Sequence, residues 1–148
     1  SIDAAYSYLD FDYTSINPQA GGPTLPRGIQ KGMITPYTPK TKWSVGAQYE
    51  IPVGAGTVTP RVDASYQSEM YSNATNGPYN YIDGYTVMNA RLTWRNPDHD
   101  WETSVEVTNL TDKYYLLTSF DLTGAGSGSA NGQPGRPREF AITVKKSF

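Results

Sequence analysis

Residues 98–100 read Asp-His-Asp and contain the only histidine of the 148-residue chain, His99. A histidine between two carboxylates is raw material for a metal site or a general base. The trio sits inside "RNPDHD", a connection too short to converge three ligands on one ion, so exposed turn residues are the better reading. Residues Gly124 to Gly132, "GAGSGSANG", are glycine-rich but lack the lysine and following helix of a phosphate-binding loop; they read as a flexible loop crown. No Ser/His/Asp or Cys/His set is available, so no catalytic residue, metal ligand or cofactor site is assigned and an enzyme is not expected. The charged residues Arg61, Asp63, Arg91, Glu102 and Glu106 are mixed in sign and suit ladders of ion pairs across strands. What remains for ligand contact is aromatic and basic: Tyr13, Arg27, Lys31 and Tyr37, then Tyr71, Tyr79 and Tyr81. Such side chains suit a flat anionic iron chelate, and with the nearby asparagines they suit a glycan equally well.

Composition narrows the setting. There is no cysteine, so neither a disulfide framework nor a thiolate metal site is available. A net charge of −2 argues against a nucleic-acid partner. Tyrosine is frequent, at 12 residues, and 14 glycines and 11 prolines punctuate the chain. No apolar run approaches the roughly 20 residues of a membrane helix. No signal-peptide pattern opens the chain; "SIDAAYSYLDF" alternates from the first residues, which reads as a piece of something longer.

Candidate loop residues need elements to carry them. Six stretches alternate with period two, the mark of a strand whose faces meet different surroundings. Ile2, Ala4, Tyr6 and Tyr8 share a face in the first. In "KWSVGAQYEI", Trp43, Val45, Ala47, Tyr49 and Ile51 oppose Lys42, Ser44, Gly46, Gln48 and Glu50. In the third, Val58, Val62, Ala64 and Tyr66 oppose Arg61, Asp63, Ser65 and Gln67. Met88, Ala90, Leu92 and Trp94 form the apolar face of the fourth. Trp101, Val105 and Val107 form that of the fifth, and Phe140, Ile142, Val144 and Phe148 that of the sixth.

Each stretch spans about 9–11 residues, enough for a tilted strand to cross a bilayer. "PVGAG" and "RNPDHD" are short turns, whereas residues 12–41, 69–84 and 110–137 are long loops. This alternation is the layout of an outer-membrane barrel with short periplasmic turns and long outer loops. It puts Tyr49, Trp94, Trp101 and Phe148 at the periplasmic ends, and Tyr8, Trp43, Tyr66, Tyr71 and Tyr85 at or near the outer ends. Trp43, Tyr49, Trp94 and Trp101 then serve as aromatic girdle residues. The fold class expected is all-β: an antiparallel meander of about six long strands, part of a transmembrane β-barrel. A soluble β-sandwich also alternates, but gives no reason to place Trp at strand ends.

The blocks "TPKTKWSVG", "GYTVMNARLTWR", "NLTDKYY" and "PGRPREF", followed by a last strand ending in Phe148, resemble the C-terminal end of a TonB-dependent outer-membrane receptor. The resemblance covers essentially all of residues 1–148. It implies a closed barrel of about 22 strands with a plugged lumen, and a location in the bacterial outer membrane. The function implied is uptake of a scarce ligand, a ferric siderophore by default. The partners implied are outer-membrane lipid, the remaining barrel strands and plug, TonB through an N-terminal part not in this sequence, and the outer-membrane insertion machinery. The last strand is implied to pair with the first strand of the barrel, and Phe148 to act as the assembly signal, with Lys146 a departure from the usual aromatic or apolar residue two places earlier. Six strands alone leave two unpaired edges. The other readings therefore stand beside this one: a self-assembling structural β-protein formed through those edges as a homo-oligomer, or a soluble β-sandwich binding module with tyrosine-rich loops.

Overall fold

The computed structural model describes residues 1–17 and 28–148. The strands are β1 (Ile2–Tyr8), β2 (Thr41–Gln48), β3 (Ile51–Val53), β4 (Gly56–Gln67), β5 (Met70–Tyr71), β6 (Tyr81–Ile82), β7 (Tyr85–Arg95), β8 (Trp101–Thr108), β9 (Leu116–Asp121), β10 (Ala130–Pro134) and β11 (Glu139–Lys146). One seven-stranded sheet runs β1-β2-β4-β7-β8-β11, with β3 also beside β4. Every pairing in it is antiparallel. This is the all-β meander that the period-two pattern requires. The six long strands fall where alternation put them, but their lengths run from 7 to 12 residues, a wider range than the alternating stretches suggest. β1 and β11 occupy opposite edges, so the sheet is open and no barrel closes within these residues.

The split between β2 and β3 has a local cause. Gln48 pairs with Arg61 and Ile51 with Val58, so the register passes unbroken through Tyr49, which faces Pro60. The Tyr49 amide donates to the Pro60 carbonyl at 3.2 Å. Pro60 has no N–H to return that bond, so the ladder loses one rung and one strand becomes two.

The two faces of the sheet differ completely. One carries Ile2, Val45, Val62, Leu92, Val105 and Ile142, all at least 39% exposed. Among the described residues no second layer covers them, and the only buried hydrophobic side chains are Met70 and Ile82, both in the loop region. The accessible surface of 10090 Å² exceeds the roughly 7,500 Å² expected of a compact monomer of this mass. A β-sandwich would bury its apolar face against a second sheet, and this sheet does not.

The other face is polar and crossed by ion pairs. Arg61 donates to both oxygens of Asp63, at 2.9 and 2.5 Å, to Asp3 at 3.2 Å and to Gln48 at 3.2 Å. Gly46 lies between Asp3 and Asp63 in the register. A Cβ there would come within 2.5–2.7 Å of the Arg61 guanidinium and both carboxylates, so only glycine lets the arginine cross the strand. Further along, Arg95 donates to Glu102 at 2.7 Å, and Arg91 lies 3.7 and 3.9 Å from Glu102 and Glu106. Arg91, Glu102 and Glu106 form the cross-strand ion pairs expected from the mixed charges, whereas Arg61 pairs with Asp63 along its own strand and crosses to Asp3.

The long loops contain more regular structure than their composition suggests. β5 and β6 pair as a short ribbon, and β9 and β10 form a hairpin. Residues 130–132 of the expected flexible crown belong to β10, where Gly132 pairs with Ser119. The base of this last loop is locked. Asn109 is 2% exposed and holds a left-handed backbone, φ 49°. Its amide nitrogen donates to the carbonyls of Lys113 (2.9 Å) and Arg136 (3.0 Å), and its side-chain oxygen accepts from the Lys113 N–H at 2.8 Å. The Asp112 carboxylate accepts from the Arg138 amide at 3.0 Å. A Cβ on Gly135 would overlap the Tyr115 ring, which lies 4.3 Å from that of Tyr85. The three sequence blocks containing Tyr85, Asn109 and Gly135 thus meet at one point.

Asn109→Ala is expected to destabilise the folded protein by on the order of 3 kcal/mol, through orphaned buried backbone groups and the lost tolerance of positive φ. Asn109→Asp keeps the acceptor for the Lys113 N–H but turns a buried carboxylate oxygen towards the Lys113 and Arg136 carbonyls, so its cost should equal or exceed that of alanine. Denaturant midpoints in detergent measure both, and an unchanged alanine midpoint would refute the lock.

Candidate functional site

Three chain segments leave the same end of the sheet: residues 9–40, 68–84 and 109–138. They hold each other with hydrogen bonds made mainly by small polar side chains. The Tyr37 amide donates to the Tyr71 carbonyl at 2.9 Å, and the Tyr37 hydroxyl shares a 2.5 Å bond with the Thr118 hydroxyl. Asn76 clamps Ile34 from both sides: its oxygen accepts from the Ile34 N–H at 2.8 Å, and its nitrogen donates to the Ile34 carbonyl at 2.9 Å. The Ser72 hydroxyl donates to the Ser119 carbonyl at 2.5 Å and lies 3.1 Å from the Ser119 hydroxyl. Asn80 and Ser119 are buried along with Met70 and Ile82. The best-packed part of the molecule is therefore this cap of loops, not the sheet.

The structure gathers some of the expected contact residues and leaves others apart. Tyr37, Tyr71 and Tyr81 come together; the Tyr71 and Tyr81 rings meet edge-on at 5.3 Å. Tyr37 holds φ 56° and is 48% exposed. Tyr79 is exposed on a 3₁₀ turn, Pro78–Asn80. Tyr13 packs edge-on against Phe11 at 4.8 Å, and Lys31 is exposed. Arg27 lies outside the described residues. Partial desolvation, aided by the Glu69 and Asp83 carboxylates, holds the Tyr81 phenol above its usual range. It presents a neutral hydroxyl, able to donate or accept.

Two concavities accompany the cap. A cleft of about 140 Å³ is bordered by Tyr81, Asp83, Tyr85, Lys113, Tyr114 and Tyr115. It has room for one ring or sugar, being smaller than the 300 Å³ or more of a typical small-molecule site. A trough of about 370 Å³ runs along the loop end of the polar face, past Ser7, Lys42, Ser44, Ser65, Gln67 and Tyr85. Tyr85 pairs with Gln67, so its ring belongs to the polar face and not to the apolar wall. It borders both concavities, a role that its position at a strand end did not reveal. The residues that staple the cap (Ser72, Asn76, Thr118 and Ser119) carry no distinctive motif; their only sequence signal is a surplus of small polar residues in the loops.

His99 sits in the turn between β7 and β8 with φ 58°, and its amide donates to the Asn96 carbonyl at 3.1 Å. Asp100 beside it accepts from the Asn96 side chain at 2.6 Å. Among the described residues no group of three His, Asp or Glu side chains converges on a point that could hold a metal ion.

The apolar wall carries aromatic side chains near both of its ends. Towards the loops, Tyr6 pairs with Trp43 and Trp43 with Tyr66, the last two stacked at 5.7 Å. At the other end lie Tyr49, Trp94 and Trp101; the Trp94 indole donates to the Ala55 carbonyl at 3.2 Å. Phe148 follows β11 and is fully exposed, while the Ser147 amide just before it donates to the Asp100 carbonyl at 2.8 Å.

The family model described as TonB dependent receptor-like, beta-barrel, matches residues 1–110. Comparison with curated proteins gives no match. Among solved structures, the siderophore receptor PiuA from Acinetobacter baumannii matches over 98% of this chain and 19% of its own, with TM-score 0.74 and 21% identity. BauA, the ferric preacinetobactin receptor from the same organism, matches over 99% of this chain and 20% of its own, with TM-score 0.70 and 22% identity. The ferric yersiniabactin uptake receptor FyuA from Yersinia pestis covers 76% of this chain and 17% of its own, with TM-score 0.68 and 21% identity. The chain spans about a fifth of the length of these receptors.

Removing the Tyr37 hydroxyl (Tyr37→Phe) together with that of Ser72 (Ser72→Ala) should loosen the cap without touching the sheet. Each lost bond is worth about 1 kcal/mol. Limited proteolysis should cut the double variant faster within residues 68–84, with unchanged strand content by circular dichroism. Equal cleavage rates would show that the loops do not support one another.

Proposed function

The chain belongs to the TonB-dependent receptor β-barrel family, and on that premise we propose that residues 1–148 form the C-terminal part of an outer-membrane receptor for a scarce ligand. The observation that carries this reading is the single sheet with one apolar face, aromatic near both ends and charged only at Lys146, and one face crossed by ion pairs. Such a sheet is wall between lipid and a polar lumen. The loop cap then lies outside the cell, and the short turns near Ala55 and His99 lie on the periplasmic side. Trp43, Tyr49, Trp94 and Trp101 anchor the wall at its two interfaces. Phe148 at the periplasmic end serves the insertion machinery as the assembly signal.

The substrate class we propose is a ferric siderophore, which fits the stated ligands of the solved structures this fold resembles. Tyr37, Tyr71 and Tyr81 make the first contact, with Tyr13, Lys31 and Tyr79 on the surrounding loops; Arg27, outside the described residues, is proposed as a further contact. The trough past Lys42 and Tyr85, at the loop end of the polar face, takes part of the bound ligand. Arg61, Arg91, Glu102 and Glu106 face the plug of the complete receptor, and energy comes from TonB through its N-terminal part. The chain contributes wall, loops and closing strand, and no bond-breaking chemistry.

Deleting the gene in the bacterium that carries it should abolish accumulation of radiolabelled ferric siderophore under iron limitation. The gene product should appear in the outer-membrane fraction at a mass far above 16.3 kDa. Intact iron accumulation with impaired uptake of a carbohydrate would move the substrate class while keeping the receptor. A species of 16.3 kDa assembled into detergent-resistant oligomers would replace the receptor by a self-assembling β-protein.

A further inference from the structure

The apolar face of the wall carries one charge. Following the register from β1 to β11, its strand residues are aliphatic, aromatic, small or Thr, up to Lys146, which pairs with Trp101 at the end away from the loops. Among the strand residues of this sheet, every other Arg, Lys, Asp and Glu lies on the polar face. Lys145, one residue earlier, points to that face and lies opposite Glu102.

Lys146 makes no ion pair with any described residue. Its ammonium sits 4.8 Å from the centre of the Trp101 ring and 5.3 Å from that of Phe148. The ring on each side fixes the cation's position and leaves its charge unneutralised, since a cation–π contact compensates desolvation only in part. A lysine on a lipid-facing surface reaches for the headgroup layer with its ammonium while its stem stays in apolar surroundings. At this end of the wall the nearest layer of anions outside the protein is the phosphate of the phospholipid headgroups.

We propose that Trp101, Lys146 and Phe148 form a binding site for the phosphate of a membrane phospholipid, preferring an anionic lipid to a zwitterionic one. The occupant is a lipid rather than free phosphate, because the cation is flanked by two rings and opens onto an apolar face that matches acyl chains. This rests on the reading of the sheet as outer-membrane wall, and it adds a specific lipid contact that membrane location alone does not require.

The test uses the full receptor that carries these residues. The receptor is purified in detergent with a mixture of phosphatidylglycerol and phosphatidylcholine, and retained lipid is counted by native mass spectrometry. Wild type should retain phosphatidylglycerol preferentially. Lys146→Gln should reduce that preference by about fivefold, the effect of one basic residue at a membrane surface, and Lys146→Arg should keep it. Each variant must show the same heat-modifiable folded band as wild type. A folded Lys146→Gln receptor with unchanged lipid preference overturns the site. Displacement of the retained lipid by inorganic phosphate overturns the choice of a lipid. A receptor absent from the membrane fraction overturns the wall reading, and the site with it.

Discussion

Everything in this structure depends on the pleat. Successive side chains of a strand must point to opposite faces, so a strictly alternating sequence gives one apolar and one charged surface whatever the neighbouring strands do. In water an apolar face needs a second layer over it, and this one has none among the described residues. That is the face of a barrel wall, the fold of the family to which the chain belongs. The same constraint explains the polar face: a lumen or a plug is polar, and charges there must pair with one another across strands. Arg61, held by Asp63 on its own strand and reaching over Gly46 to Asp3 two strands away, is that requirement met by three adjacent strands.

The loop cap follows from the wall. A membrane sheet has no inner core to organise its connections, so loops this long must supply their own. They do so with buried Met70 and Ile82, with the β9–β10 hairpin, and with polar staples that run between segments far apart in sequence. Asn109 is where wall and cap join. Its backbone N–H takes the Asn89 side-chain oxygen at 2.9 Å, from the neighbouring strand, while its side chain closes the loop base. Only a short amide side chain that tolerates positive φ can do both. The cap thus presents Tyr37 and Tyr79 to solvent on loops braced by hydrogen bonds.

The wall was legible in the sequence because its signal is periodic. Trp43, Val45 and Ala47 announce their face by spacing alone, and the structure pairs them in the register that spacing requires. The break between β2 and β3 was harder to see, because it is caused by Pro60 on the partner strand. The cap was not legible in this way. Tyr37 meets Thr118, and Ser72 meets Ser119, across 81 and 47 residues, and no local pattern encodes a contact of that separation. The crown around Gly132 read as flexible because glycine content measures freedom in the unfolded chain, whereas here Gly132 allows close packing against Leu116. Tyr85 read as an outer-rim aromatic, and one position of register assigns it instead to the polar face.

The edges set the last requirement. β1 and β11 each present a full row of backbone donors and acceptors with no partner in the sheet. In hydrocarbon each such group costs several kcal/mol, so the two rows together outweigh the 5–15 kcal/mol that stabilises an ordinary domain. β11 also turns large apolar side chains outward along one face: Phe140, Ile142 and Val144 are 61–75% exposed. A strand that is apolar outward and unpaired along its edge is stable only beside another strand in the same membrane. Whatever supplies those strands, the remainder of a receptor or a second copy, must match both the register of β11 and its apolar outer face. The edge chemistry therefore selects its neighbour as strictly as the pleat selects the solvent.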